Sequence, residues 1–216
     1  IRAVDGAVRD CLSQLGESRS RVTGIGVSGQ PRALVLLDGE NRIVRPSKLG
    51  PDRSAASQAD EIRRAFGGAP GLTELTGSVM EPTTVAAMIR WVQQNEPHLS
   101  QRAASLMGAH DFINYWLSGT KRTEFGEASE TALLDLRSRS WCQELFDFID
   151  PRLAEMLPEL RSSREPLGVL RPELARDWGV GEDVLVSAGG ARVMMSALGC
   201  GAAFPGAVAI AIDKTA

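Results

Sequence analysis

Several groups of residues in this chain have types and spacings suited to chemistry. Glu124, Glu127 and Glu130 recur at three-residue spacing. They either line a cleft as acids or form a solvated acidic turn, and no partner residue in the sequence decides between the two. His110 next to Asp111 is an acid–base pair by residue type, but neighbours on a helix are expected to point apart. Gly189-Gly190 ends a strand-like run, either as a tight strand–helix turn or as a loop whose backbone faces a phosphate. Gln30 and Arg32 follow a glycine-punctuated stretch, Val22 to Gln30, and Asp52 lies in a polar loop ahead of a helix. Cys11, Cys142 and Cys200 have no activating neighbours, and the four tryptophans sit at helical packing positions.

Those groups need elements to hold them. Ile25 and Val27 alternate with glycines, which reads as a buried strand over Val22–Ser28 ending in a tight turn. Ala33–Asp38 reads as a second strand, Gly39-Glu40-Asn41 as its turn, and Ile43-Val44-Arg45 as the start of another. Val184–Ala188 and Ala207–Ile212 complete a set of four strands expected in one sheet. Helical periodicity covers Ile1–Leu15, Ala55–Phe66, Thr84–Asn95, His98–Met107, His110–Leu117, Trp141–Ile149, Pro151–Leu160 and Pro172–Trp178. Ser54 or Asp52 is a candidate cap for the helix beginning at Ala55. Pro70–Gly77 reads as a loop or a short turn.

Composition narrows the class. The chain has 216 residues, 24 Lys and Arg against 27 Asp and Glu, and no basic cluster, so nucleic acid and anionic membranes have no electrostatic footprint. The apolar stretch Ser196–Ile212 is broken by Gly199, Gly201, Pro205 and Gly206 and does not read as a membrane span. Three scattered cysteines and two histidines support neither a disulfide framework nor a zinc site, so no metal ligand is assigned and a reducing cytoplasm is the expected compartment.

Gly29-Gln30-Pro31-Arg32-Ala33, Leu36-Leu37-Asp38, Arg45-Pro46 and Leu49-Gly50-Pro51-Asp52-Arg53-Ser54 occur in that order. Together they resemble the sugar-recognition segment of the FGGY carbohydrate kinases, most closely the xylulokinases. Thr123–Thr131 followed by Leu133-Leu134-Asp135 resembles a further Thr-Asp-x-Ser-x-Ala-Ser-Gly-Thr pattern of that family. The resemblance runs along nearly the whole chain. It implies an α/β, actin-like ATPase (ribonuclease-H-like) domain, incomplete, with a helical insertion. Residues 1–216 would be part of the first, sugar-binding domain of a two-domain kinase. The family's N-terminal β-meander and its second, nucleotide-binding domain have no counterpart in this sequence.

The resemblance implies an ATP-dependent kinase, using Mg2+, that phosphorylates a pentulose such as D-xylulose, with a homodimer as its assembly. Gln30, Arg32 and Asp52 fall at its sugar-contacting positions, and Gly189, Gly190 and Thr215 on its phosphate side. Its general base falls at Arg192, where a guanidinium cannot accept a proton. Asp52 is the stand-in from the same expected cleft, although an N-cap role accounts for it equally. The alternative function is a non-catalytic or truncated homologue that binds a sugar or a protein partner without phosphoryl transfer.

Overall fold

The structure is a computed structural model that describes residues 1–210. Its strands are β1 (Gly24–Ile25), β2 (Ser28–Gly29), β3 (Val35–Leu37), β4 (Ser105–Met107), β5 (Arg122–Glu124), β6 (Leu134–Asp135), β7 (Ser140–Trp141), β8 (Glu159–Arg161), β9 (Pro166–Val169), β10 (Leu185–Ser187) and β11 (Gly190–Ala191). Its helices are α1 (Arg2–Leu15), α2 (Ala56–Ala65), α3 (Gly68–Thr76), α4 (Val85–Asn95), α5 (Pro97–Arg102), α6 (Ala109–Ser118), α7 (Phe125–Ser129), α8 (Gln143–Ile149), α9 (Leu153–Met156), α10 (Pro172–Trp178) and α11 (Arg192–Gly199).

The expected four-stranded sheet is divided. β10 is the centre of a three-stranded sheet, parallel to β1 and antiparallel to β9. β2 and β11 continue the parallel pairing beyond it. The register advances by one residue between the two ladders, from Ile25↔Val186 to Ser28↔Gly190. Gly189 occupies this bulge with φ +63, and a Cβ there would strike the Val27 carbonyl oxygen. Only glycine fits so close a backbone approach at positive φ.

The Ala33–Asp38 stretch belongs elsewhere: β3 pairs antiparallel with β4 in a separate two-stranded sheet. Ser105–Met107 therefore leaves the helix predicted over His98–Met107, because its buried side chains gain a ladder with β3. Residues 207–210 form no strand, and the remainder of the expected Ala207–Ile212 strand lies outside the described residues. Pro70–Gly77 is not a loop. Most of it is α3, which tolerates Pro70 in its first turn. The stretch read as helical over Pro151–Leu160, with an interruption at Pro158, divides into α9 and β8, with β8 paired in parallel to β5.

Two large apolar clusters, with a smaller one around Val35, Leu37 and Met107, hold the elements. One joins α2, α4, α8 and α9 to the buried faces of β3 and β4 through Ile62, Met88, Ile89, Phe146, Leu36 and Leu106. The other joins α1, α6, α10 and β10 through Leu12, Leu117, Leu174, Trp178 and Val186. Full burial of each large aliphatic side chain contributes about 1.5–3 kcal/mol. Trp116 and Trp178 meet edge to face at 5.8 Å in the second cluster. Among the described residues, no helix is long and apolar enough to cross a membrane.

Candidate functional site

Because β2 and β11 run parallel, the chain leaves both strands at the same end of the ladder. Gln30 follows β2 and Arg192 follows β11, so two candidate positions far apart in sequence emerge side by side. The ends of parallel strands, where loops diverge, commonly form binding crevices. Gln30 is exposed and makes no side-chain hydrogen bond among the described residues. Arg192, also exposed, opens α11. Gly190 donates its N–H to Val27 O at 3.2 Å, so that donor does not face a phosphate. Thr215 lies outside the described residues.

Arg32 is held away from free solvent. Its backbone has φ 57, and its Nε donates to Glu130 Oε2 at 2.9 Å. Its Nη1 donates to Glu81 Oε2 and, at 3.0 Å, to Thr83 Oγ1. Arg32 therefore fastens the loop after β2 to the C-terminal end of α7 and to the segment before α4. Glu130 is an ion-pair partner here, not part of a solvated acidic turn.

Asp52 is also committed. Its Oδ2 accepts from Lys48 Nζ at 2.7 Å, and its Oδ1 accepts the Ser54 N–H at 2.9 Å. The Lys48 bond, reinforced by Ser54, pushes the Asp52 pKa down to about 2. A general base works best with a pKa near the working pH, so this carboxylate is a weak proton acceptor at neutrality. Neither Asp52 nor Ser54 caps the following helix. The N-cap position is Ala55, with no side-chain cap bond, because Asp52 and Ser54 are drawn toward the Lys48 ammonium.

Beneath the two strand ends lies a buried polar cluster whose burial was not apparent in the sequence. His110 is 0% exposed and Asp111 3%, and His110 Nδ1 lies 3.1 Å from Asp111 Oδ1. The expectation that these neighbours point apart fails because α6 packs against β2, β4, β5, β9 and β10, so adjacent faces of the helix are both covered. Asn114, one helical turn on, lies 3.2 Å from His110 Nε2 through its Nδ2. That i,i+4 spacing was the available sequence signal for Asn114.

The other two glutamates also depart from a solvated turn. Glu124 caps α7 by accepting the N–H groups of Gly126 and Glu127. Glu127 is 3% exposed, its Oε2 has no partner, and its Oε1 sits over Gly108. Burial first, then the neighbouring Asp111, push its pKa up to about 8. Glu127 is thus a neutral acid at pH 7.

Among the described residues, no group of three or more His, Cys, Asp or Glu side chains is arranged to hold a metal ion. A surface concavity lined by Phe66, Glu74, Leu75, Asp135 and Arg137 holds none of the residues above.

The family model described as "FGGY family of carbohydrate kinases, N-terminal domain" matches residues 1–199. A xylulose kinase of Haemophilus influenzae is 36% identical over 207 residues, covering 93% of this chain and 42% of the relative. A xylulose kinase of Lactococcus lactis is 33% identical, covering 93% of this chain and 40% of the relative. The crystal structure of a xylulose kinase from Rhodospirillum rubrum superposes with a TM-score of 0.85 at 28% identity, covering 92% of this chain and 40% of that one. The chain thus spans about two fifths of the length of the curated relatives it matches. The α/β architecture is that of the actin-like ATPase fold these structures share.

Proposed function

Since the chain belongs to the FGGY family of carbohydrate kinases, with residues 1–199 matching its N-terminal domain, we propose that it is the sugar-binding part of an ATP-dependent kinase acting on a pentulose such as D-xylulose. The observation that carries this reading is the parallel pairing of β2 with β11, from which Gln30 and position 192 emerge together. A sugar hydroxyl aligned between them would have an orienting amide on one side and the family's base position on the other. Arg32 and Asp52 serve the sugar side indirectly, by fixing the loops around Gln30. The Gly189 bulge and Thr215 belong to the phosphate side. Mg2+ would arrive on the nucleotide phosphates and neutralise their charge. The nucleotide-binding domain would come from outside this sequence. Cytoplasmic location and a homodimer are part of the same proposal.

Arg192 favours a second reading, sugar binding without phosphoryl transfer. A guanidinium cannot take the hydroxyl proton, and Asp52, at a pKa of about 2, is poorly matched to replace it. The deciding assay is ADP release with D-xylulose and Mg-ATP, using the full polypeptide that carries this chain, before and after Arg192→Asp, with sugar affinity measured by calorimetry. Restoring a general base is worth about 100- to 10,000-fold in rate. Turnover by the unmodified protein supports the kinase reading and puts the base elsewhere. Turnover gained only with Arg192→Asp supports binding without transfer. Absence of sugar binding in both proteins overturns both readings.

A further inference from the structure

Two buried side chains of α6 touch both strand ends of the candidate site. A Cβ at Gly29 would lie 2.7 Å from His110 Cβ, and one at Gly189 would lie 3.0 Å from His110 Nε2. The His110 ring is therefore wedged under β2 on one side and under the bulge before β11 on the other. Asn114 Nδ2 lies 3.2 Å from His110 Nε2 and 3.4 Å from the Ala188 carbonyl oxygen. His110 and Asn114 are both 0% exposed, and Asn114 Oδ1 has no partner.

A neutral and a charged imidazole make different demands on this arrangement. In the neutral ring, Nδ1–H donates to Asp111 Oδ1 and Nε2 accepts from one Asn114 N–H. The second Asn114 N–H then points at Ala188 O. In the charged ring Nε2–H is itself a donor and cannot face another N–H. The Asn114 amide must turn over so that its unpartnered Oδ1 accepts from Nε2–H, and its N–H groups then leave the Ala188 carbonyl.

We propose that His110 and Asn114 are positioning residues: the protonation state of His110, relayed by the orientation of the Asn114 amide, determines whether the Ala188 carbonyl is held, and with it the placement of the Gly189–Gly190 bulge and Arg192. The groups facing the ring are Asp111 from its own helix, Glu127 from α7 and Glu124 from the end of β5. β2 and β11 face it with uncharged backbone. Burial works to lower the ring's pKa. Asp111, with Glu127 and Glu124, outweighs it and raises the ring above the ordinary histidine value. Burial and the neighbouring Asp111 push Glu127 up to about 8, and the charge of each group bears on the other.

The coupling stands on the contacts at Gly29, Gly189 and Ala188. Only its effect on a sugar rests on the proposed function. The test is nuclear magnetic resonance on the intact chain, followed from about pH 5 to about pH 9, the range that brackets histidine titration. The chain has two histidines, and His98→Gln assigns the His110 ring nitrogens unambiguously. The expected result is an Nδ1–H tautomer at high pH, with the Ala188 carbonyl and Gly189 amide signals moving at the His110 midpoint. Asn114→Ala is expected to abolish the Ala188 and Gly189 response while His110 still titrates beside Asp111, an outcome that a merely structural Asn114 would not produce. A Gly189 response persisting unchanged in Asn114→Ala overturns the proposal. Should that variant fail to fold, the unmodified chain decides alone: an Nε2–H tautomer at high pH, or Ala188 and Gly189 signals that ignore the His110 midpoint, overturns it. Adding D-xylulose to the same sample separates the two claims, since a chain that shows the coupling but binds no sugar contradicts only the proposed function.

Discussion

Lys48 Nζ lies 2.7 Å from Asp52 Oδ2, with the lysine side chain 4% exposed and the aspartate 35%. The same ammonium reaches Ser54 Oγ at 2.7 Å and sits 3.7 Å from the centroid of the Trp91 ring. Out of water, an ammonium needs a counter-ion and hydrogen bonds, and the ring face adds a cation–π contact. Lys48, with Asp52 as its counter-ion, therefore fastens the loop before α2 to Trp91 of α4.

Asp52→Asn is expected to lower stability by about 1–3 kcal/mol, because it leaves a buried charge without its counter-ion. Urea unfolding at neutral pH measures this, and an unchanged midpoint counts against the anchor. The pH dependence has a definite sign. The folded pKa of about 2 lies below the ordinary 3.8, so the contribution is present above pH 3.8 and lost as pH falls through about 2.

Glu127 has the opposite sign. In the unfolded chain it loses its proton near 4.5, whereas in the fold it keeps it to about 8. Stability is fully present below pH 4.5 and declines as pH rises through about 8, because folding takes up a proton across that window. Glu127→Gln keeps the shape and removes the titration. The variant is expected to match the parent near pH 4.5 and to exceed it at pH 8, by on the order of 2 kcal/mol. Thermal midpoints at the two pH values check this, and parallel curves for the two proteins refute it.

Gly29→Ala pushes a methyl group into the backbone and Cβ of His110, which sits in a helix that cannot move aside without disturbing β9 and β10. A loss of about 1–3 kcal/mol is expected from overpacking. Gly6→Ala in α1, where nothing lies within 4 Å of the added methyl, is the control and is expected to be neutral or slightly stabilising. Chemical denaturation of both variants gives the comparison.

Arg32 and Glu130 are tested by a double-mutant cycle. Their side chains are 30% and 21% exposed, so the pair is partly shielded from solvent. Arg32→Ala, Glu130→Ala and the double variant are expected to give a coupling of about 1 kcal/mol, above the range of a fully exposed pair's lower half. Additive effects would mean that the loop after β2 is held by other contacts.

Much of the element inventory was legible in the chain itself. The apolar stripes of α1, α4 and α10 are properties of short windows, and so are the glycine breaks around Ser28 and Gly189. The ordered set from Gly29-Gln30 to Leu134-Asp135 was enough to indicate the family, since it needs only order along the chain. That the position at which the resemblance implies a base carries Arg192 was visible as a single letter. Partners across distance were not legible. Ser105–Met107 carries an apolar pattern that suits a helix or a strand, and only its ladder with Val35–Leu37 decides between them.

The candidate site divides the same way. Gln30 and Arg192 were identifiable as residues, but their emergence side by side depends on the parallel register of β2 with β11 and on the one-residue bulge at Gly189. The three evenly spaced glutamates looked alike in sequence, yet one caps α7, one is buried as a neutral acid and one pairs with Arg32. His110 and Asp111 were read as diverging because a helix seen alone has one buried face, whereas α6 is covered on several sides. Residue type and spacing therefore determined which chemistries were available to this protein. Tertiary packing decided which groups lost their water, and desolvation is what turned similar carboxylates into a cap, a counter-ion and a neutral acid.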